Sequence, residues 1–495
     1  MNKFKEIKPM INYRDIKSSY IIKSLFSFLD EKEKLEIIIY NKELQKILSV
    51  NINEYKNNTG KYKIGERNGK GWEYIINTNI LIFEGEYING KRNGKGKEYY
   101  LNRKLLFEGE YKNGRKWNGN GYNIKGNIEF KLKDGKGNIK EYDEYGKLKY
   151  EGEYKNGERN GKGKEYDEYG KIKFEGEYIN GKRNGKGKEY YLNRNLLFEG
   201  EYKNGRKWKG NGYNIKGNME FKLKDGKGNI KEYDEYGNLK YEGEYKNGEK
   251  NGKGKEYDEY GKIKFEGGYI NGKRNGKAKK YNYDGILIFV GEYINGERNG
   301  KGKEYNDYGK LIFEGEYLNG RKWNGIGYNI QGNIEFKLKD GKGNIKEYNY
   351  KNGKLIFEGE YKNGFRNGKG REYNDNGKLK YEGKYINGFR NGKGREYNDY
   401  GNLIFEGEFI NGVINGKGKE YNYNGNLIFE GEFINGKRNE KVKGKGKEYN
   451  LGGNVIFEGE YLNGKRNGKG REYNKYGKLI FEGEYLNGNR IWKAQ

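Results

Sequence analysis

Several residue groups have types and spacings that could support chemistry, and the most suggestive are glycine-rich basic loops. The segment GKRNGKG at 90–96 combines glycines with cations, as phosphate-binding loops do. It lacks the spacing of a Walker loop and the Ser or Thr that follows the lysine there. The same run also recurs along most of the chain. We therefore interpret it as a structural element and not as a nucleotide site.

Carboxylate pairs such as Glu84 and Glu86 could in principle supply an acid and a base. Catalysis by two carboxylates needs a pocket that separates their pKa values, and this pair repeats along the whole chain without unique sequence around it. The chain contains no Cys and no His, which excludes thiol nucleophiles, disulfides, imidazole bases and the usual zinc sites. We expect no catalytic activity, no metal and no cofactor.

The elements that position these residues follow a fixed period. The string FEGEY at 83–87 is followed by Asn-Gly, then Asn-Gly-Lys-Gly, then Glu-Tyr, and the next copy begins 24 residues later. The same string, with one residue changed in the copies at 265, 405 and 429, restarts at Phe107, Phe174, Phe198, Phe265, Phe313, Phe357, Phe405, Phe429, Phe457 and Phe481. A period of this size indicates one supersecondary element that stacks on its neighbours. Repeat arrays of this kind usually bind or scaffold.

Composition supports an ordered array over a disordered chain. Hydrophobic residues make up only 32% and charged residues 35%, which alone would favour disorder. Against that, aromatic residues reach 16%, including 51 Tyr, and there is one Pro. Disordered chains are poor in aromatic residues, so the spacing of Gly, Tyr and Lys predicts repeated strands and turns.

Each repeat is predicted to be a β-hairpin. In the strand LIFEGEY at 311–317, alternation places Phe313, Gly315 and Tyr317 on one face. Glu314 and Glu316 fall on the other. The Asn-Gly steps tolerate positive φ and predict tight turns, and GKEY at 302–305 is a second strand. The predicted fold is mainly β: an elongated single-layer antiparallel β-hairpin repeat array with a small α-helical N-terminal cap. It contains about 19 units over residues 57–495.

Three units are degenerate, starting near residues 126, 217 and 332. The unit before each is shortened and carries a tryptophan, Trp117, Trp208 or Trp323.

Residues 1–56 lack the glycine period and read as helical. Ser18 or Ser19 could cap a first helix, and Asp30 with Glu33 resembles a capping pair for a second. No secretory signal and no stretch of membrane-spanning length is evident. We expect a cytoplasmic protein, with peripheral attachment to membranes as an open alternative.

The pattern aromatic-x-Gly-x-aromatic-x-Asn-Gly-x-x-x-Gly-x-Gly resembles the MORN (membrane occupation and recognition nexus) repeat. It is clean at 83–96 and at 457–470. The resemblance implies hairpin sheets that act as protein scaffolds or contact sites, and binding of acidic phospholipids is often attributed to them. The N-terminal segment LFSFL at 25–29 resembles an F-box, although the usual Leu-Pro opening is absent. That resemblance implies docking to a ubiquitin-ligase adaptor, and its candidate contact residues are Leu25, Phe26, Phe28 and Leu29.

Basic pairs recur after the first Asn-Gly step of several hairpins, and we predict that they sit at exposed hairpin tips. The candidate residues for contact with acidic lipids or acidic protein surfaces are Lys91, Arg92, Lys182, Arg183, Lys273, Arg274, Lys465 and Arg466. With a net charge of +29, aligned tips would form a basic stripe. The alternative is a solvated edge that keeps an open sheet from aggregating.

These observations predict a non-enzymatic protein-binding scaffold, with an F-box-like adaptor role for the cap as the finer hypothesis. The alternative is a peripheral membrane scaffold that binds acidic phospholipids. Nucleic acid is disfavoured, because the aromatic residues are predicted to pack inside the strands while acidic residues are spread through every unit.

Overall fold

The structure is a computed structural model that describes residues 60–76, 78–349, 352–438 and 446–491. Within these ranges the regular secondary structure is entirely β, arranged as antiparallel hairpins, and no helix occurs. The predicted mainly β hairpin architecture is therefore confirmed for this part of the chain. The predicted helical cap at 1–56 lies outside the described residues.

The chain divides into two compact units, Met1–Asn238 and Leu239–Gln495. The strands of the first unit are β1 (Lys61–Gly65), β2 (Gly69–Ile75), β3 (Leu81–Ile88), β4 (Lys91–Tyr99), β5 (Leu105–Lys112), β6 (Arg115–Tyr122), β7 (Ile128–Leu132), β8 (Gly137–Tyr142), β9 (Leu148–Lys155), β10 (Glu158–Tyr166), β11 (Ile172–Ile179), β12 (Lys182–Tyr190), β13 (Leu196–Lys203), β14 (Arg206–Tyr213), β15 (Met219–Leu223) and β16 (Gly228–Tyr233).

The second unit continues the same alternation of strand and turn. Its strands are β17 (Leu239–Lys246), β18 (Glu249–Tyr257), β19 (Ile263–Ile270), β20 (Lys273–Tyr281), β21 (Leu287–Ile294), β22 (Glu297–Tyr305), β23 (Leu311–Leu318), β24 (Arg321–Tyr328), β25 (Ile334–Leu338), β26 (Gly343–Tyr348), β27 (Leu355–Lys362), β28 (Phe365–Tyr373), β29 (Leu379–Ile386), β30 (Phe389–Tyr397), β31 (Leu403–Ile410), β32 (Val413–Tyr421), β33 (Leu427–Ile434), β34 (Lys437–Arg438), β35 (Gly446–Tyr449), β36 (Val455–Leu462), β37 (Lys465–Tyr473), β38 (Leu479–Leu486) and β39 (Asn489–Ile491).

Within each unit the strands follow one another in sequence order as an antiparallel meander. The first unit contains a sheet of β1–β7 and a sheet of β8–β15. In the second unit β17–β25 lie in one sheet and β26–β39 in the next. Paired glycines occupy the same register on neighbouring strands, as in Gly176 opposite Gly187 and Gly187 opposite Gly200.

The hairpin β11–β12 shows why the first Asn-Gly step forms the turn. Asn180 and Gly181 both have positive φ, 50° and 77°, as a type I′ turn requires. The Gly181 amide donates to the Arg159 carbonyl at 2.9 Å, and Gly205 of the next hairpin donates to the Arg183 carbonyl at 2.8 Å. Each turn is thereby tied to the hairpin before it.

The second Asn-Gly step does not form a turn. It lies inside β12, where the pairing with β11 shifts register and Gly185 has φ 97°. The Lys186 amide at this bulge donates to the Glu177 carboxylate at 3.1 Å. The bulge lengthens the second strand toward the tip, so β12 begins at Lys182 instead of near the Gly-Lys-Gly run.

The link between successive hairpins is an Asx-type turn. Ahead of β11, the Asp167 carboxylate accepts from the amides of Tyr169 and Lys171, both at 2.9 Å. Gly170 takes φ 75° in this turn. This explains why Asp or Asn opens most links and glycine follows three residues later; in two links Tyr100 and Tyr191 take the first position, and Arg103 and Arg194 take the positive φ.

The core of each unit is a row of aromatic rings on one side of its sheets, which we call the aromatic face. Phe174 is fully buried and Tyr178 almost so. The Phe174 ring meets Tyr178 and Tyr202 edge-on, with ring centroids 5.7 and 5.2 Å away. A Cβ added to Gly187 would lie 2.6 Å from Phe174 Cζ, so the ring rests directly on the glycine backbone.

The degenerate repeats use tryptophan to continue the array. The Trp117 carbonyl accepts from Gly135 at 2.8 Å, and a Cβ on Gly135 would lie 3.0 Å from the indole. Next to this contact, an isolated bridge between Lys133 and Lys136 joins the ends of β7 and β8. Trp117 therefore packs on the tip of a narrower hairpin that lacks the usual Phe-x-Gly start.

Replacing Gly187 by Ala is expected to destabilise the protein by about 1–3 kcal/mol, because the new methyl group would collide with the Phe174 ring. Backbone strain does not contribute, since Gly187 does not have a positive φ. Urea unfolding of the full chain would measure the loss. Lys186→Ala on the opposite face is the control and should change the free energy of unfolding by no more than about 0.5 kcal/mol. Equal midpoints for the two variants would contradict this packing.

Candidate binding surface

Arginine side chains cover the aromatic face. The Arg183 guanidinium lies 3.9 Å from the centroid of the Phe174 ring. It also bridges two glutamates, Glu165 at 2.6 Å and Glu189 at 2.9 Å. Tyr178 donates its hydroxyl hydrogen to Glu165 at 2.8 Å. A layer of paired charges thus shields the rings from solvent, as a second packed layer does in other β proteins.

The environment of these glutamates shifts their pKa values. Burial alone would raise the pKa of Glu189, but Lys207 and Arg183 outweigh it and hold that pKa at about 2. Glu98 and Glu304 occupy equivalent positions, and their pKa values are likewise lowered to about 2 against the effect of burial. These carboxylates therefore remain ionised in the folded protein at any ordinary pH.

The basic pairs that were predicted to sit at hairpin tips divide between two places. Their lysines, which are Lys91, Lys182, Lys273 and Lys465, are exposed at the first position of the second strand. Their arginines, which are Arg92, Arg183, Arg274 and Arg466, point to the aromatic face, each against a Phe ring and paired with glutamate. The predicted exposed position of the arginines is wrong, because strand pairing begins directly after the turn and alternation turns them inward.

The opposite side of the sheets, which we call the charged face, presents glutamate and lysine in rows that cross the strands. From β10 to β13 one row runs Lys164, Glu175, Lys188 and Glu199, and these residues are paired in register. Lys188 Nζ lies 3.1 Å from the Glu199 carboxylate in this row. A parallel row contains Lys162, Glu177, Lys186 and Glu201. Charge therefore alternates from strand to strand along both rows.

Between the two rows lies a groove, which we call the charged-face groove. Its floor is the backbone of paired glycines such as Gly176 and Gly187, whose absent side chains would point to the aromatic face. In the first unit it encloses about 840 Å³ between Glu151 and Gly210. In the second unit a similar groove of about 1500 Å³ runs from Asn344 to Glu432. Sequence reasoning placed the glutamates on this face but missed the groove.

The groove can hydrogen-bond and pair charges along an extended ligand. Tyr190 on this face donates its hydroxyl hydrogen to Glu175 at 2.6 Å and fixes the position of that carboxylate. Among the residues that the structure describes, no three acidic side chains come together as a metal site would need. The rows of charged side chains can make many weak contacts with an extended ligand.

One repeat carries a cation in place of the glutamate that pairs with the arginines. Lys280 occupies the position that holds Glu98 and Glu189 elsewhere, beside Arg274 and Arg298. Burial lowers the pKa of Lys280, and the two arginines lower it further, while Glu304 and Glu256 oppose the shift. Here cations crowd together where other repeats alternate charge.

The repeats that form these hairpins match the model of a known repeat family. The MORN repeat model matches residues 83–102, 150–168, 174–195, 241–259, 265–286, 289–310, 357–378, 381–401, 405–427, 429–441 and 457–475. A MORN repeat variant matches 136–156 and 342–363, and each match begins within the narrower hairpin that follows a tryptophan-containing strand. Together the matches cover about half of the chain and confirm the resemblance read from the sequence. The chain belongs to the MORN repeat proteins, and none of these matches falls on residues 1–56.

Comparison with other proteins adds little. No curated protein matches the chain. Similar solved structures include a TcdB2-TccC3 crystal structure, with 11% identity, a TM-score of 0.13 and coverage of 84% of this chain and 28% of that one. A second is the Tc holotoxin pore of Photorhabdus luminescens, with 11% identity, a TM-score of 0.12 and coverage of 86% and 23%. The chain spans less than a third of these structures, and TM-scores this low carry no argument.

In the part of the chain that the structure covers, no helix is long and apolar enough to cross a membrane.

The buried glutamates predict acid sensitivity. A group with a folded pKa of about 2 and an ordinary unfolded value near 4.5 contributes stability above pH 4.5, and this is lost as the pH falls toward 2. We expect the urea midpoint of the full chain to drop across this window. The Glu189→Gln variant, followed in parallel, should show a smaller drop. An identical pH profile for both proteins would contradict the assignment.

The Arg183 and Lys182 pair gives a matched test of the arginine layer. Arg183→Ala should lower the free energy of unfolding by about 2–4 kcal/mol, because it uncovers Phe174 and removes one cationic partner from each of two buried glutamates, Glu165 and Glu189. Lys182→Ala, one residue away but exposed, should change it by no more than about 0.5 kcal/mol. Denaturant unfolding would measure both. Similar effects for the two variants would contradict the position of Arg183 on the aromatic face.

Restoring the usual glutamate should stabilise the exceptional repeat. Lys280→Glu places an anion between Arg274 and Arg298 and is expected to raise the free energy of unfolding by about 1–2 kcal/mol at pH 7. Lys273→Glu at the exposed tip is the control and should be near neutral.

The pH dependence of the same pair of proteins gives a second readout. Because the pKa of Lys280 is lowered in the folded protein, the unfolded chain binds more protons, and wild-type stability rises with pH toward the ordinary lysine pKa. The advantage of the variant should therefore shrink as the pH rises toward the ordinary lysine pKa of 10.5. An advantage that grows over this range would show that Lys280 is not held against the arginines.

Proposed function

We propose that this protein is a non-enzymatic scaffold that binds an extended segment of a protein partner along the charged-face groove. The observation that carries the proposal is the groove itself, with a glycine backbone floor and walls of alternating charge from Glu151 to Gly210. The aromatic face is closed by its own arginines, so the charged face is the side that is open to a ligand.

The spacing of the walls suggests what would fit. Neighbouring strands lie about 4.8 Å apart, so like charges in one row recur about every 9.6 Å. A polyproline II segment rises about 3.1 Å per residue and repeats every three residues, or about 9.3 Å. A partner segment with a charge at every third residue would therefore stay in step with the row over several strands.

Synthetic peptides test this spacing. A fluorescent peptide of six Glu-Pro-Pro triplets should bind the full chain more tightly than a peptide of identical composition with its glutamates in one block. Lys186→Glu with Lys188→Glu should weaken binding about tenfold or more, since both lysines line the groove. Lys91→Glu with Lys182→Glu, at two exposed positions outside the groove, is the charge-matched control. Equal binding of the two peptides, or equal loss with the control, would contradict groove binding.

The F-box-like segment would add a second contact. On this proposal Leu25, Phe26, Phe28 and Leu29 hold a ubiquitin-ligase adaptor, and the repeats select the target. Affinity capture of the adaptor by the full chain should be lost when Leu25, Phe26 and Phe28 are replaced by Asp, with binding of the spaced peptide unchanged. Retention of the adaptor by that variant would remove this role and leave the groove unaffected.

The alternative is attachment to acidic phospholipids through the exposed lysines at 91, 182, 273 and 465. It is supported by their common place at the start of a second strand, although the arginines beside them are engaged with glutamate. Salt-sensitive sedimentation with phosphatidylserine vesicles, lost when all four lysines become Glu, would support it. Absence of sedimentation at low salt would eliminate it.

A further inference from the structure

One short stretch of hairpin tips in the second unit differs from all others. Ile386 pairs with Phe389 across one tip, and Ile410 pairs with Val413 across the next. All four are exposed, with 40–57% of their surface accessible: Ile386 40%, Phe389 57%, Ile410 50% and Val413 44%. They lie at the edge of the charged face, because Ile386 and Ile410 each follow a buried aromatic residue by one position, and Phe389 and Val413 are paired opposite them. We call them the apolar tip patch.

The corresponding tip pairs elsewhere in the described ranges include a charged or polar residue. Examples in the same unit are Ile270 with Lys273 and Ile294 with Glu297. In the first unit Ile179 pairs with Lys182. Two adjacent tips without any polar member therefore form a patch that the repeat itself does not require. Exposed contiguous apolar surface of this kind marks an interaction site.

The charged face beside the patch carries a regular charge pattern. From β28 to β33 the row farther from the tips alternates without exception: Arg371, Glu382, Arg395, Glu406, Lys419 and Glu430. The row nearer the tips reads Lys369, Lys384, Lys393, Glu408, Lys417 and Glu432. Only Lys384 departs from alternation there.

This pattern is self-complementary about one particular axis. We propose that the face formed by β28–β33 binds a second copy of the chain, related by a two-fold axis parallel to the strands and located between β30 and β31. Such an axis places β30 opposite β31 of the second copy, β29 opposite β32 and β28 opposite β33. An isologous interface of this type must be complementary to itself.

The far row then matches completely. Arg395 faces Glu406 of the second copy, Glu382 faces Lys419 and Arg371 faces Glu430. In the near row Lys393 faces Glu408 and Lys369 faces Glu432, while Lys384 meets Lys417 as the single like-charged pair. A two-fold axis perpendicular to the strands would instead exchange the two rows on the same strand and place Glu406 over Glu408. The alternation therefore selects the first axis.

The same operation brings the apolar tip patch onto itself. Phe389 faces Ile410 of the second copy, and Ile386 faces Val413. Sheets packed face to face lie about 10 Å apart, within reach of these long side chains. The charged residues already form exposed pairs within one chain, as Arg395 does with Glu406 at 2.8 Å. Because such pairs contribute little, re-pairing across the interface is nearly neutral, and apolar burial supplies the affinity.

Sedimentation equilibrium of the full chain tests the proposal. We expect a concentration-dependent dimer, and we expect Phe389→Asp with Val413→Asp to raise its dissociation constant about tenfold or more. Ile270→Asp with Ile294→Asp, at tips in the same unit that already carry a charge, is the matched control and should leave the constant within about threefold. A chain that stays monomeric at all concentrations, or equal effects of the two variants, would overturn the proposal.

A charge swap tests the axis. Arg395→Glu alone should weaken the dimer about tenfold, because two symmetric contacts become repulsive. Adding Glu406→Arg should restore it to within about threefold, since the swapped residues again face each other. A dimer that is unaffected by either change would place the interface elsewhere. Circular dichroism confirms that each variant is folded, and peptide binding in the first unit is an independent readout that should not change.

Discussion

The contact between a phenylalanine ring and the bare backbone of paired glycines is the constraint on which the rest of the structure depends. Each sheet buries its aromatic residues without a second layer, so the rings must find cover within their own face. Phe174 does so by lying on Gly187, where a Cβ would approach within 2.6 Å, and by meeting Tyr178 and Tyr202 edge-on. The arginine layer closes the remaining side. Glycine is therefore required here for close approach and not for flexibility, since Gly187 does not have a positive φ.

The polar layer over the rings behaves as a connected network. In the hairpin β31–β32 the usual arginine is replaced by Ile414, and the tyrosine that would pair with it is replaced by Phe409. The arginine and the tyrosine hydroxyl disappear together and Ile414 packs against the core, while Glu396 and Glu420 keep Arg390 and Arg438 as partners. Lys280 is the opposite case, because one member changes and the arginines around it remain. A buried network with all members satisfied, or with none present, costs less than a partly satisfied one. The paired change at Phe409 and Ile414 is therefore compensated, whereas the single change at Lys280 is not.

Much of the fold could be predicted from the sequence because the same residue types recur at the same positions in many repeats. Alternation in FEGEY assigned the two faces, and the Asn-Gly step located the turn. The position of Arg183 could not be obtained in the same way, because both Asn-Gly steps look like turns. Only the structure shows that the second is a bulge and that pairing begins at Lys182. The pairing of Tyr178 with Arg183 was a usable signal, since residues opposite each other share a face. The groove requires the register of several strands, which no single repeat specifies.

The aromatic face forms the core, whereas the tips and the charged face are exposed, and this difference indicates where binding specificity can evolve. A change on the aromatic face must satisfy a ring, a glycine and an ion pair together, as the paired changes at Phe409 and Ile414 illustrate. A change at a tip faces no such condition. The residue after the turn is accordingly Lys182 in one hairpin, Glu297 in another and Phe389 in a third, with the same strand pairing in each. Repeats that share one core can therefore differ in what they contact, and the differences collect along the edge and on the charged face.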